Sequence, residues 1–210
     1  MSPRPYNAGQ RQAAAEQTRA RILEAANELL TGAKGPAALS MEAVARKAGV
    51  ARMTVYYQFE SKTGLLEALF DDLADRGGMA RMADAFTRTA VTDALGEVIQ
   101  VLVGFYGSGR TALRRLRGLA IMDPELETAL RTRGERRRIG LKIVLDRLAD
   151  ERGVSLAASE SAELTELLAM LTSFETYDAL AGPEDGEEAA ARQIEELALA
   201  VIDRRLPAAS

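Results

Sequence analysis

Apolar residues along this chain recur mostly at intervals of three and four, the spacing that gathers them on one side of an α-helix. Within residues 18–30 they gather Ile22, Leu23, Ala26, Leu29 and Leu30 on one face, and within 61–76 they gather Leu65, Leu66, Leu69, Phe70 and Leu73. The run 97–106 has the composition of a buried strand. It continues the pattern begun at Thr92, however, and no partner strand is visible, so a helix is expected there. Asp123-Pro124-Glu125 joins an N-cap side chain, a first-turn proline and an acid favoured by the helix dipole. The helix it opens is expected to reach Arg152 unless Gly134 or Gly140 interrupts it. Two more helical patterns, 159–180 and 187–206, flank a turn-rich linker at 181–186. Because residues 37–123 and 125–182 contain no proline, nothing in them forbids helix interiors. The expected fold class is all-α.

Residues 40–59 leave the long-helix pattern and predict two short helices. Ser40 can cap the first, whose inner face is Val44, Ala45 and Ala48, and Gly49 can take the left-handed conformation that stops it. Val50 then plugs the corner, and a second helix starting near Ala51 buries Val55 and Phe59. Ala45 is small enough for the helices to cross closely. Two short helices joined by a glycine turn make a helix-turn-helix unit, whose second helix lies in the major groove of DNA while the first crosses the backbone. The outward residues of that second helix would be Arg52, Met53, Thr54, Tyr56, Tyr57 and Gln58. Gln58 suits an adenine edge, Arg52 a guanine, Met53 a thymine methyl, and Thr54 and Tyr56 phosphate oxygens. Of the two tyrosines, Tyr56 is expected to face out and Tyr57 is the one that can pack inward. Ser40 presents a helix N-terminus and Lys62 a charge at the next, both natural phosphate contacts. Taken alone, the segment also fits an ordinary corner of a helical bundle.

With its flanks the segment resembles the TetR family of transcriptional regulators. The pieces that carry the likeness are Thr18-Arg-Ala-Arg-Ile-Leu-Glu-Ala-Ala, Ala48-Gly-Val, Thr54-Val-Tyr-Tyr-Gln-Phe and Ser61-Lys-Thr-Gly-Leu-Leu, and their mutual spacing agrees over residues 18–73. The resemblance implies a three-helix DNA-binding domain, a connecting fourth helix, and a divergent helical domain that dimerises and holds an effector. It implies repression as the usual mode and carries phosphate-contacting roles onto Ser40, Thr54, Tyr56 and Lys62. On that plan residues 1–10 are a flexible arm, 11–60 the DNA-binding domain, 61–78 the connecting helix and 79–210 the effector-binding and dimerisation domain. Four positions depart from the family's usual pattern and bear on which operator is read. Ala51 stands where a Ser often caps the recognition helix, Met53 where Gly or Pro is common, and Gln58 where His is frequent; Glu42 adds a negative charge near the DNA.

Charge changes the picture only when divided. Over all 210 residues the formal net charge is −4, which speaks against a nucleic-acid partner. Residues 1–62 nevertheless hold nine Lys or Arg against five acids, a net of +4, leaving eighteen against twenty-six, −8, for the rest. A basic head on an acidic body fits a modular binder of double-stranded DNA. The chain has neither His nor Cys, so no Ser-His-Asp triad, Cys-His pair, Cys/His metal site or disulfide is possible. No enzyme activity, metal or cofactor is expected. With no long apolar run and no secretory signal, a cytoplasmic protein without membrane contact is expected.

The remaining candidates lie in the second half. Phe86, Phe105, Tyr106, Met122, Met170, Phe174 and Tyr177 have the side-chain types of a pocket for a small apolar or amphipathic effector, although the same types fill an ordinary core. Thr172, Tyr177 and Asp178 can supply its polar groups. Leu164, Leu167, Leu168 and Leu171, with Ile194, Leu197 and Val201, exceed what one core contact needs and are expected to form a homodimer interface of two helices from each subunit. The basic run Arg131, Arg133, Arg136, Arg137, Arg138 and Lys142 is expected to be a solvated helix face more readily than a second nucleic-acid patch.

Overall fold

The computed structural model describes residues 8–85, 90–182 and 186–207, and all regular structure among them is helical. In chain order the α-helices are α1 (Ala8–Thr31), α2 (Met41–Ala48), α3 (Arg52–Phe59), α4 (Lys62–Arg76), α5 (Met82–Ala85), α6 (Val91–Ser108), α7 (Arg110–Ala120), α8 (Pro124–Glu151), α9 (Ala158–Leu171), α10 (Phe174–Leu180) and α11 (Gly186–Arg205). Short 3-10 turns at Gly35–Ala38 and Met79–Arg81 complete the order. The stretch 97–106 lies within α6, so its many apolar residues reflect a helix buried on most sides, with Gln100 at the exposed edge, and not a strand. None of the described helices is long and apolar enough to cross a membrane.

Internal contacts divide the chain into two units: Met1–Asp72 with Thr111–Glu127, and Leu73–Arg110 with Thr128–Ser210. In the first, Ile22, Leu23, Ala26 and Leu30 of α1 pack into a core with Val44 and Ala45 of α2 and Val55 and Phe59 of α3. Polar contacts fix the crossing angles. Lys47 on α2 pairs with Glu28 on α1, and the Arg19 guanidinium lies 4.6 Å from the centre of the Phe59 ring, a cation–π contact joining α1 to α3.

Residues 111–127 join this head although the sequence pattern places no element of the head there. Ala112, Leu113, Leu116 and Ala120 are the buried face of α7. From the same helix Arg115 donates to the carbonyls of Leu30 and Gly32, the latter at 2.6 Å, where α1 ends. A guanidinium there meets carbonyls at the negative end of the helix dipole, that of Gly32 also accepting from the Gly35 amide at 2.9 Å. Asp123 caps α8 by accepting from the Leu126 amide at 3.1 Å, and its other oxygen accepts from the Thr63 hydroxyl at 3.2 Å. One carboxylate thereby starts α8 and holds the first turn of α4.

In the second unit α8 continues through Gly134 and Gly140 without a break, since a helical glycine costs only about 1 kcal/mol, which packing can offset. The pattern at 159–180 does break, at Thr172–Ser173, giving α9 and α10. Thr172 turns its hydroxyl back to the Leu168 carbonyl, and Ser173 accepts from the Thr176 amide at 3.1 Å as the cap of α10. Two adjacent hydroxyl residues satisfy the broken ladder, which is why the interruption is tolerated there.

Candidate nucleic-acid interface

The corner between α2 and α3 is built largely as its sequence predicts. The Ser40 hydroxyl accepts from the Ala43 amide at 3.1 Å. Gly49 ends α2 with φ of 66° in the left-handed region, and Val50 donates back to the Ala45 carbonyl at 3.0 Å. Ala51 precedes α3 with no side-chain cap, so the amides of that helix's first turn are left without the partner a Ser would give. Lys62 is exposed in the first turn of α4, and the Ser61 hydroxyl caps that helix by accepting from Gly64 at 2.9 Å.

Successive residues of a helix step by about 100°. With Val55 and Phe59 packed inward, Met53 and Tyr57 stand diametrically opposite the core, Arg52 and Tyr56 form one flank, and Thr54 and Gln58 the other. Exposure follows that order: Met53 is 73 % and Tyr57 90 % exposed, Arg52 is exposed, and Thr54, Tyr56 and Gln58 are half-buried. The tyrosines therefore reverse the expected order. Tyr57 points out and Tyr56 lies partly down, because residue 57 is about 160° from the core direction defined by 55 and about 200° around in register, whereas 56 adjoins it. Arg52 bends along its own flank, donating to the Tyr56 hydroxyl at 3.3 Å with its guanidinium 5.4 Å from that ring's centre. The hydrogen bond, with a smaller contribution from Glu42, raises the Arg52 pKa.

The expected effector residues do not come together as a cavity wall. Phe105, Tyr106, Phe174 and Tyr177 are all buried and pack as one aromatic cluster, with neighbouring ring centres 5.3 to 6.3 Å apart. Arg137 seals one side of it, donating to the Tyr106 hydroxyl at 2.7 Å and to the carbonyls of Ala169 and Thr172 at 3.1 Å. Arg137 is thus turned inward, in contrast to the solvated basic face expected of its run; Arg138 and Lys142 pair with Glu166 and Asp146. Met122 is 85 % exposed at the turn before α8 and Met170 is 57 % exposed on α9. Phe86 lies outside the described residues. A cleft of about 530 Å³ in this unit is lined by Arg110, Tyr177, Ala181, Glu187 and Glu188 with Gly107, Gly182 and Gly186. Tyr177 alone of the expected set reaches it. Arg110 shapes one wall, binding Asp178 at 2.6 Å and the Ala181 and Gly182 carbonyls; Asp178, named as a possible polar group, is its partner.

The residues expected at a dimer interface divide in two. Leu164, Leu168, Leu171 and Ile194 are buried within the chain. They fill the seam of α9 and α11 with the rest of the unit, a role the apolar pattern alone could not separate from contact with a second subunit. Leu197 is 47 % exposed, and Leu167 and Val201 are half-buried. The Arg205–Glu163 ion pair at 2.8 Å joins α9 to α11.

The positioning residues Arg19, Thr63 and Arg115 were not singled out in the sequence, and each acts across a long separation. Asp123 was legible as a cap, but its bond to Thr63 spans sixty positions.

These elements define an all-α helix-turn-helix protein with a separate helical body. Residues 22–69 match the model of the bacterial regulatory proteins of the tetR family. Among curated proteins, the HTH-type transcriptional regulator SrpR of Pseudomonas putida is 44 % identical over 57 residues. That match covers 27 % of this chain and 26 % of SrpR, so it spans about a quarter of the relative. A TetR transcription regulator from Haloarcula marismortui has a similar fold, with TM-score 0.69 and 21 % identity over 90 % of this chain and 98 % of that one. A TetR-like transcriptional regulator from Rhodococcus sp. RHA1 gives TM-score 0.63 and 22 % identity over 95 % and 97 %. Residues 22–69 thus carry the sequence of the tetR-family DNA-binding segment, and the chain as a whole has the fold of TetR-type regulators.

Proposed function

We propose that this chain is a ligand-responsive transcriptional repressor that binds a palindromic operator as a homodimer. The observation that carries the proposal is α3, packed through Val55 and Phe59 with Met53 and Tyr57 directed away from its core, within a first 62 residues of net charge +4. Ser40 and Lys62, at the starts of α2 and α4, stand where phosphate contacts would flank that helix. Thr54, Tyr56 and Gln58 supply hydrogen-bonding groups on its sides. One eight-residue helix reads too few base pairs for useful specificity, which favours a two-fold pair. Leu167 and Met170 on α9 and Leu197 and Val201 on α11, apolar residues left exposed or half-exposed, support that pairing.

The cleft beside Arg110 and Tyr177 is the favoured effector site, since about 530 Å³ lies within the usual range for small-molecule pockets. Tyr177 and Ala181 beside the charges of Arg110, Glu187 and Glu188 suit an amphipathic ligand. An effector preferring one arrangement of the paired heads would change operator affinity by its differential affinity for the two states. Gel shifts on duplex fragments at several salt concentrations test the DNA function. Binding should weaken steeply with salt, and Tyr56→Ala and Lys62→Ala should weaken it on every sequence. Unaltered binding in both variants would refute this placement of the interface.

A further inference from the structure

We propose that Met53 and Tyr57 read the operator through thymine 5-methyl groups, while Arg52 serves the sugar-phosphate backbone and not a base; this rests on the DNA-binding function proposed above. The outermost line of α3 is apolar. Met53 and Tyr57 are the only large apolar side chains of the helix left open, at 73 % and 90 % exposure, and they lie one turn apart on the same line. When a helix enters the major groove, the line opposite its packed side faces the groove floor, where the base edges lie, and its flanks face the walls, where the phosphates lie. The floor offers one apolar feature, the thymine methyl.

Arg52 stands on a flank, and its guanidinium is bent further along that flank by the Tyr56 hydroxyl at 3.3 Å and the Tyr56 ring. A bidentate approach to guanine would have to break both contacts and cross the Met53 line. A phosphate on the groove wall requires neither, and the Tyr56 hydroxyl would be brought to the same place. Gln58, half-buried on the other flank, faces the opposite wall by the same geometry.

The test uses the full chain and the duplex that it enriches from a random pool. Replacing thymine by uracil removes one methyl per position and leaves base pairing unchanged. Uracil at the thymines under Met53 and Tyr57 should weaken binding roughly three- to fivefold each, the worth of one buried methyl group. Met53→Ala and Tyr57→Ala should bind the thymine duplex more weakly and lose the response to uracil at the position each covers. Arg52→Ala should weaken all duplexes alike and lower the salt slope by about one. The exposed positions of all three keep the fold intact, which circular dichroism verifies. If a duplex is enriched and uracil has no effect at any position, or Arg52→Ala changes base preference, the methyl-reading inference is overturned alone. If no duplex is enriched, the DNA-binding function falls with it.

Discussion

Glu60 carries backbone strain at the junction of α3 and α4. Its φ of 62° and ψ of −48° put a non-glycine residue in the positive-φ region, and Ser61 donates across it to the Phe59 carbonyl at 2.6 Å, the pattern of a strained γ-turn. Such a conformation costs on the order of 1–3 kcal/mol, and the buried Phe59 on one side and the cap of α4 on the other enforce it. Glu60→Gly is predicted to raise stability by about 1 kcal/mol, read as a higher midpoint in thermal or urea unfolding. Gly49→Ala should cost about 1 kcal/mol by the same measurement, since its φ of 66° excludes Cβ comfortably only in glycine. Gly49 was legible in the sequence because a glycine between two short amphipathic helices has one obvious task. Glu60 was not, because nothing in a glutamate signals a positive φ; packing on either side imposes it.

At the scale of the element, α2 and α4 follow from their serine caps and apolar spacing, and α3, which has no side-chain cap, from the Gly49 turn and the spacing of Val55 and Phe59. α7 was passed over although Ala112, Leu113, Leu116 and Ala120 recur at helical spacing among arginines; what ties it to the end of α1 is Arg115, whose hydrogen-bond partners lie some eighty positions away. Arg115 shows how it is held. Arg115→Ala removes the hydrogen bonds to the end of α1 and should lower stability by about 1–3 kcal/mol, measured by urea unfolding of the full chain. The division of α9 from α10 was hidden for the opposite reason: the apolar period runs straight through Thr172 and Ser173, and only their hydroxyls mark the break. Of the aromatic residues around that break, Phe105, Tyr106 and Phe174 pack into one buried cluster, whereas Tyr177 both joins it and lines the cleft. Residue type cannot distinguish a ring that packs on three others from one that faces open space.

At the scale of the whole molecule, a net charge that looks unsuited to DNA separates into a basic first 62 residues and an acidic remainder. That division was legible from the sequence, and so was the helical class; the assignment of buried and exposed leucines was not, because an amphipathic helix wider than one contact has two apolar sides. The distinction gives a sharp prediction for the proposed homodimer. Leu197→Glu, at an exposed position, should yield folded monomers in sedimentation, whereas Leu171→Glu places a charge in the protomer core and should unfold the body before it affects association. The most direct test of the account is selection of bound sequences by the purified full chain from random duplex DNA. The account predicts an enriched palindrome whose half-site centres are about 34 Å, or a multiple of that helical turn, apart; recovery of no preferred sequence, or of a single unpaired half-site, would contradict it.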